Sequence, residues 1–409
     1  MNSTQAKRPT NLLNIGESQT KFDKPMTGIG IWRLGFRPFY LGGALFTIFA
    51  MFMWLGVITN TLALPPSDSG LAPLLWHAHE MIFGFALAII AGFLLTASNN
   101  WTGHVPAAGL PLATLFGFWA FARVSFTLGH IIIAGVFDLL FVALLSIMVL
   151  RVFWLAKLWK NLPILMIVVG LGSLNLLFYG SYLGWFQVNS LFPMELALLL
   201  IMQLLVVMGG RVIPMFTKNG ILGLKITEWP PVVRSVASIS FIAILSWIWM
   251  PPTIAASLCF LASIMIAIRF MGWKPWRTLK TPMVWILQLG YIWLAITFSL
   301  LALERLDIVV RSLPIHALGV GAMGAIMIGM ITRTAMGHTG RQIRPSWFEL
   351  TSFLLLAISG VSRALAIYAN DGQNLLLFTA GMCWACAFVI YLVRYTPWLM
   401  RPRLDGKPG

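Results

Sequence analysis

The sequence predicts an all-α, polytopic membrane protein of about twelve transmembrane helices in one bundle, with both termini in the cytoplasm. Three observations predict it. The 409 residues are 59% hydrophobic and only 10% charged, with mean hydropathy +0.86, which no ordinary soluble domain shows. Apolar runs of roughly 18 residues or more recur along the chain, each long enough to cross a bilayer. Lys and Arg are distributed on one side of the resulting topology, as the positive-inside rule requires.

Taken in order, residues 1–30 are polar, rich in Lys, Ser, Thr and Asn, and lack the basic-then-apolar order of a cleaved signal peptide. They read as a disordered cytoplasmic tail, followed by a transmembrane domain over 31–398 and a second cytoplasmic tail over 399–409. Arg33 and Arg37, in Arg33-Leu34-Gly35-Phe36-Arg37-Pro38-Phe39, lead directly into the first apolar run. The runs fall near 39–59, 74–97, 108–128, 130–150, 161–183, 192–213, 232–250, 252–269, 282–303, 312–332, 348–368 and 374–396. Their short connections make one compact bundle. Backbone facing lipid must satisfy its own hydrogen bonds, so such runs are helices.

With the amino terminus inside, only Arg123, Arg305, Arg311 and Arg363 of the 28 Lys and Arg fall on the outer side. An incorrect number of segments would have scrambled that asymmetry. The net charge of +16 therefore reads as loop bias and contact with anionic lipid, and gives no reason to expect a nucleic-acid partner. Cys259, Cys383 and Cys386 all lie in apolar runs and show no secreted disulfide pattern. Cys383 and Cys386 share a helical face, where small-residue packing is a simpler account than redox or metal chemistry.

The chemistry concentrates in Trp76-His77-Ala78-His79-Glu80-Met81-Ile82-Phe83-Gly84, because two imidazoles and a carboxylate open a run that stays apolar to Ala97. Polar groups at that depth need compensation. The topology sets His77 and His79 near the outer end of segment 2, and His316 at the outer end of segment 10, after Arg311-Ser312-Leu313-Pro314. At the helical rise they lie about 4 to 8 Å inside the interface. Positions two apart on a helix differ by about 200°, so His77 and His79 face opposite ways while His77 and Glu80 share a face. The three imidazoles are candidate haem or metal ligands; the simpler alternative is helix-terminal histidines bonded to neighbouring carbonyls.

Met323, Met327 and Met330 follow His316 along nearly one stripe, with Gly319, Gly321, Gly324 and Gly329 beside it. Such small residues admit either a neighbouring helix or a flat macrocycle. At the cytoplasmic ends, His104, Arg211, Arg333, His338 and Arg341 read mainly as interfacial anchors, with a second metal or anion site at His338 as the sharper alternative. His130 reads as a surface residue, and Asn175, Gln203 and Gln288 as interhelical hydrogen-bonding groups. Asp138 and Glu195 are candidates for a proton path, although a helix-start carboxylate accounts for Glu195 equally well.

These motifs resemble the NnrS family of bacterial inner-membrane proteins. The resemblance is carried by Arg33 to Phe39, Trp76 to Gly84, Asn100-Trp101-Thr102-Gly103, Arg211-Val212-Ile213-Pro214-Met215-Phe216-Thr217, Trp273-Lys274-Pro275-Trp276-Arg277 and Gly337-His338-Thr339-Gly340-Arg341. It implies a twelve-helix protein with haem and copper, tied to nitric oxide metabolism and protection from nitrosative stress. Segments 2 and 10 are also similar to the helices that present haem-ligating histidines in haem-copper oxidases and nitric oxide reductases. Two departures limit that likeness: Leu318 stands where a second histidine of segment 10 is expected, and residues 232–250 hold no histidine. One haem and a differently built copper site is the more modest inference.

On that basis His77 or His79, with His316, are the candidate ligands of a b-type haem. The remaining imidazole, with Glu80, is the candidate for copper, and His338 for a second metal. Arg311 is either a partner for a haem propionate or an ordinary loop charge. The expected partners are nitric oxide or a related small molecule, membrane lipid and an electron donor. A secondary transporter without a redox cofactor, dividing six and six at 214–231, is the alternative; a non-catalytic scaffold would leave the buried imidazoles unexplained.

Overall fold

The computed structural model describes residues 30–63 and 70–406. The amino-terminal tail expected before residue 30 and the last three residues lie outside the described residues. Helices and connecting turns account for the structure, with no strand among the described residues. Twelve helices are long and apolar enough to cross a bilayer: α1 Phe36–Ile58, α2 Pro73–Thr102, α3 Leu110–Thr127, α4 Ile131–Leu155, α5 Trp159–Tyr182, α6 Leu191–Gly220, α7 Pro230–Trp249, α8 Pro252–Arg277, α9 Pro282–Arg305, α10 Ser312–His338, α11 Trp347–Leu365 and α12 Gln373–Met400. Each apolar run of the sequence corresponds to one of them.

Several helices outrun their apolar stretch. α2 continues to Thr102, α6 to Gly220 and α10 to His338, because an apolar run marks the hydrocarbon crossing whereas helical hydrogen bonds continue into the interface. Pro is common at helix starts, as at Pro73, Pro230, Pro252 and Pro282, where its missing N–H removes no intrahelical bond.

Burial separates three helices from the rest. In its most apolar window α2 is 89% buried, and α6 and α10 are each 72% buried, whereas α7 is 33% buried. Consecutive helices pack as neighbours, and α1 packs on α12 to close the ring around this centre. The inner helices thus recur every fourth position, an arrangement distinct from two six-helix halves. Close approach in the centre relies on glycine: a Cβ on Gly290 of α9 would meet the Ala322 carbonyl oxygen of α10 at 3.0 Å.

Both inner helices that carry the candidate histidines change their winding directly after them. α2 is π-helical over Glu80–Ala86 and α10 over Ala317–Met323. π segments within α-helices occur often at functional sites, because the wider turn redirects side chains and loosens backbone hydrogen bonding. Apolar periodicity gives no sign of this feature.

Candidate functional site

The structure divides the candidate residues of α2 between two clusters. His79 and Glu80 join a fully buried polar network spanning α2 to α5. The Nδ1 of His79 meets Glu80 Oε1 at 2.9 Å and its Nε2 meets Asn175 Oδ1 at 3.0 Å. Arg123 of α3 donates from Nη1 to Glu80 and from Nη2 to Asp138 of α4. The Tyr179 hydroxyl of α5 donates to Asp138 Oδ2 at 2.7 Å, and Phe126 stacks on the His79 ring at 4.1 Å. All five polar partners are buried. Charges removed from water persist only when paired and hydrogen-bonded, and four consecutive helices each contribute a group. Both ring nitrogens of His79 have a polar partner within hydrogen-bonding distance, so an external ligand would have to displace one of them.

His77 turns the other way, as the helical offset of two positions requires. Its ring stacks on Trp54 of α1 at 4.2 Å and 16°. The Nδ1 of His77 is buried and has no hydrogen-bond partner among the described residues. His316 lies within electrostatic reach of it. The Nδ1–H of His316 donates to the Ser312 carbonyl oxygen at 2.7 Å, which fixes the tautomer and leaves the lone pair on Nε2. Arg363 of α11 completes the cluster: its Nη2 lies 3.1 Å from each ring nitrogen of His316 and 3.2 Å from Ser312 Oγ. No carboxylate pairs with Arg363 among the described residues. A turn below His316, a Cβ on Gly319 would meet nothing within 4 Å. Space for a side chain is therefore open beside the α10 backbone at Gly319.

The other candidates lie elsewhere. Arg311 is engaged by Glu195, with Nε–Oε1 at 2.8 Å and Nη2–Oε2 at 2.5 Å, and its guanidinium lies 5.1 Å from the Trp247 ring centroid. This pair borders a small pocket also lined by Leu198, Leu301 and Leu318. Glu195 and Asp138 consequently belong to separate networks. His338 packs against Phe36 at 5.6 Å. Arg333 stacks on Phe216, Arg341 stacks on Trp398, Arg211 bonds to Asn161, and His104 is exposed, so the cytoplasmic-end set is dispersed. Gln203 bonds to Ala237 and Ser240, and Gln288 to Thr217, as interhelical groups do. Among the described residues no three His, Cys, Asp or Glu side chains form a metal-binding group.

Arg123, Arg363, Trp54 and Tyr179 are the site residues that motif reading missed. The two arginines carried a usable signal: each stands inside an apolar run, where a cation needs a named partner.

These features define a twelve-helix membrane protein with two histidines from different helices near one end and a buried ionic network beside them. The NnrS protein profile matches residues 30–403, nearly the whole chain. The chain belongs to the NnrS family and is thereby connected in general terms with nitric oxide stress. No curated protein matches it.

Proposed function

We propose that the chain is a haem- and copper-binding redox protein of the bacterial inner membrane, with both termini cytoplasmic, acting on nitric oxide or its iron adducts at the histidine pair of α2 and α10. One observation carries the proposal: the Nδ1 of His77 is buried without a hydrogen-bond partner among the described residues, and the imidazole of His316 on another helix lies within electrostatic reach of it. The Ser312 carbonyl fixes the His316 tautomer with its lone pair on Nε2, where Arg363 is the residue a ligand would displace. Ligating histidines commonly donate their other ring N–H to a backbone carbonyl, which sets ring orientation and raises basicity.

The residues fit a b-type haem. Gly319 leaves lateral room beside His316, Trp54 forms a flat wall against His77, and Arg363 supplies the charge that a propionate requires. When bound, the haem would supply a one-electron couple and a binding place for a diatomic ligand. One of the two imidazoles serves it and the other suits copper. Within the chain, Ser312 orients His316, Trp54 orients His77, and the His79 network holds the outer part of α2 in place. An electron donor is needed for turnover.

The test is direct. Protein purified in detergent is examined for its reduced-minus-oxidised spectrum and for bound iron and copper, then compared with His77→Ala, His79→Ala and His316→Ala. Haem should be lost or spectrally altered in the His77 and His316 variants while the chain remains folded. Folded wild-type protein without stoichiometric haem would overturn the proposal, and haem unchanged in both variants would move the site elsewhere. Nitric oxide consumption by the reduced protein then separates turnover from binding.

A further inference from the structure

The end of the bundle opposite the histidine pair carries a second built site. Three segments distant in sequence converge there. Arg37, fully buried, donates from Nη1 to the carbonyl oxygens of Leu399 at 2.7 Å and Arg401 at 2.8 Å. The Leu404 N–H reaches the Thr339 carbonyl oxygen at 3.3 Å. This clamp gathers positive charge: Arg37 lies within electrostatic reach of Arg33, Arg341 and Arg403, and Arg341 within reach of Arg394 and Arg401. Two guanidinium groups share one indole, with Arg341 at 4.4 Å and Arg394 at 4.5 Å from the Trp398 ring centroid.

The nearby carboxylates offset this charge only in part. Glu349 is taken up by the Ser346 N–H and hydroxyl, each at 2.6 Å, and by Tyr395 at 2.7 Å, leaving Arg394 Nε 3.8 Å away. Asp405 pairs with Arg403 at 2.7 Å. Among the described residues Arg341 and Arg401 have no carboxylate partner, and Arg394 Nε is buried without a hydrogen-bond partner. Burial, followed by repulsion from Arg394 and Arg401, pulls the Arg341 guanidinium below its ordinary pKa. Between α10, α11 and α12 is a shallow depression lined in part by Thr332, Phe348, Glu349, Ile390, Tyr391 and Arg394. Trp347, 65% exposed, stands beside it at the depth where aromatic side chains meet headgroups.

We propose that this corner binds one anionic phospholipid, its phosphate held by Arg341, Arg394 and Arg401 and its acyl chains lying along the outer surface of α11 and α12. Guanidinium groups match phosphate oxygens in geometry as well as charge. Their position at the ends of membrane helices makes the lipid the phosphate source in reach, and each basic residue at such a surface contributes several-fold in affinity for acidic lipid.

The full-length protein, exchanged into nanodiscs of phosphatidylglycerol or phosphatidylcholine, tests this by native mass spectrometry after release and by thermal unfolding. Wild-type protein should retain phosphatidylglycerol selectively and unfold at a higher temperature with it. The Arg341→Gln/Arg401→Gln variant, which leaves the Trp398–Arg394 packing in place, should lose roughly ten-fold or more in retention. Adding Arg394→Gln should abolish selectivity. Equal retention of the two lipids by wild type, or undiminished retention by the double variant, would overturn the proposal. Equal stabilisation by inorganic phosphate in phosphatidylcholine would overturn its assignment to a lipid.

Discussion

His79 and His77 are two residues apart on one helix, yet they belong to opposite kinds of environment. Around His79 every ring nitrogen meets an oxygen, two carboxylates share one guanidinium, and four helices contribute. Around His77 a ring nitrogen is left without a partner, the neighbouring cation has no carboxylate, and one wall is open at Gly319. In the first environment both ring nitrogens and both carboxylates are paired, which holds helices together; in the second a buried ring nitrogen is left unpaired and is suited to a ligand. The contrast teaches that a histidine's availability, rather than its presence at a given depth, marks a binding site.

Breaking the saturated network should produce the largest effect. Arg123→Met leaves Glu80 and Asp138 buried without their cation, at a cost of about 3–5 kcal/mol, and size-exclusion chromatography should show little folded protein. The triple change Arg123→Met, Glu80→Gln, Asp138→Asn removes the charges together and should recover most of it; failure to recover would mean the network does more than balance charge. His79→Ala should destabilise by roughly 1–3 kcal/mol through orphaned polar groups, read as a lowered unfolding temperature of the cofactor-free protein, whereas His77→Ala, which orphans no hydrogen-bond partner and loses only the stacking on Trp54, should lower that temperature less.

The open cluster invites a filling experiment. Gly319→Leu adds a side chain where a Cβ has no neighbour within 4 Å, and it improves helix propensity by up to about 1 kcal/mol. Stability should therefore hold or rise while bound haem falls; full haem occupancy would exclude this site. A smaller change is expected at Arg363. Replacing it with Gln removes a cation that favours the more electron-rich state, so the midpoint potential should fall, by roughly 60 mV if the effect equals ten-fold in a one-electron equilibrium. Smallest of all is Glu195→Gln: Arg311 is 51% exposed, and an exposed pair contributes about 0–1 kcal/mol, so stability and haem content should both stay within error.

Much of the fold is legible from residues alone, and particular cases show the limit. The apolar runs near 74–97 and 312–332 locate α2 and α10 because the bilayer imposes a length on any crossing segment. Asn175, Gln203 and Gln288 are recognisable as interhelical groups because polar side chains in such runs need partners. The partner identities are not legible: Arg123 reaches Glu80 across helices, 43 positions away, and no local pattern encodes that pairing. Arg311 stands next to Ser312 in sequence, yet Glu195 takes its donors, and Arg363, 47 positions from His316, occupies the place beside the imidazole.

The sequence by itself determined the membrane class and the number of helices long enough to cross, since hydrocarbon thickness and helical rise act on local composition. The opposite facing of His77 and His79 also followed from helical geometry alone. Only the tertiary structure decided which imidazole is saturated and which is open, because hydrogen-bond satisfaction depends on what neighbouring helices bring. It also placed π turns directly after His79 and after His316, where packing against α1, α9 and α11 outweighs the preference for regular winding.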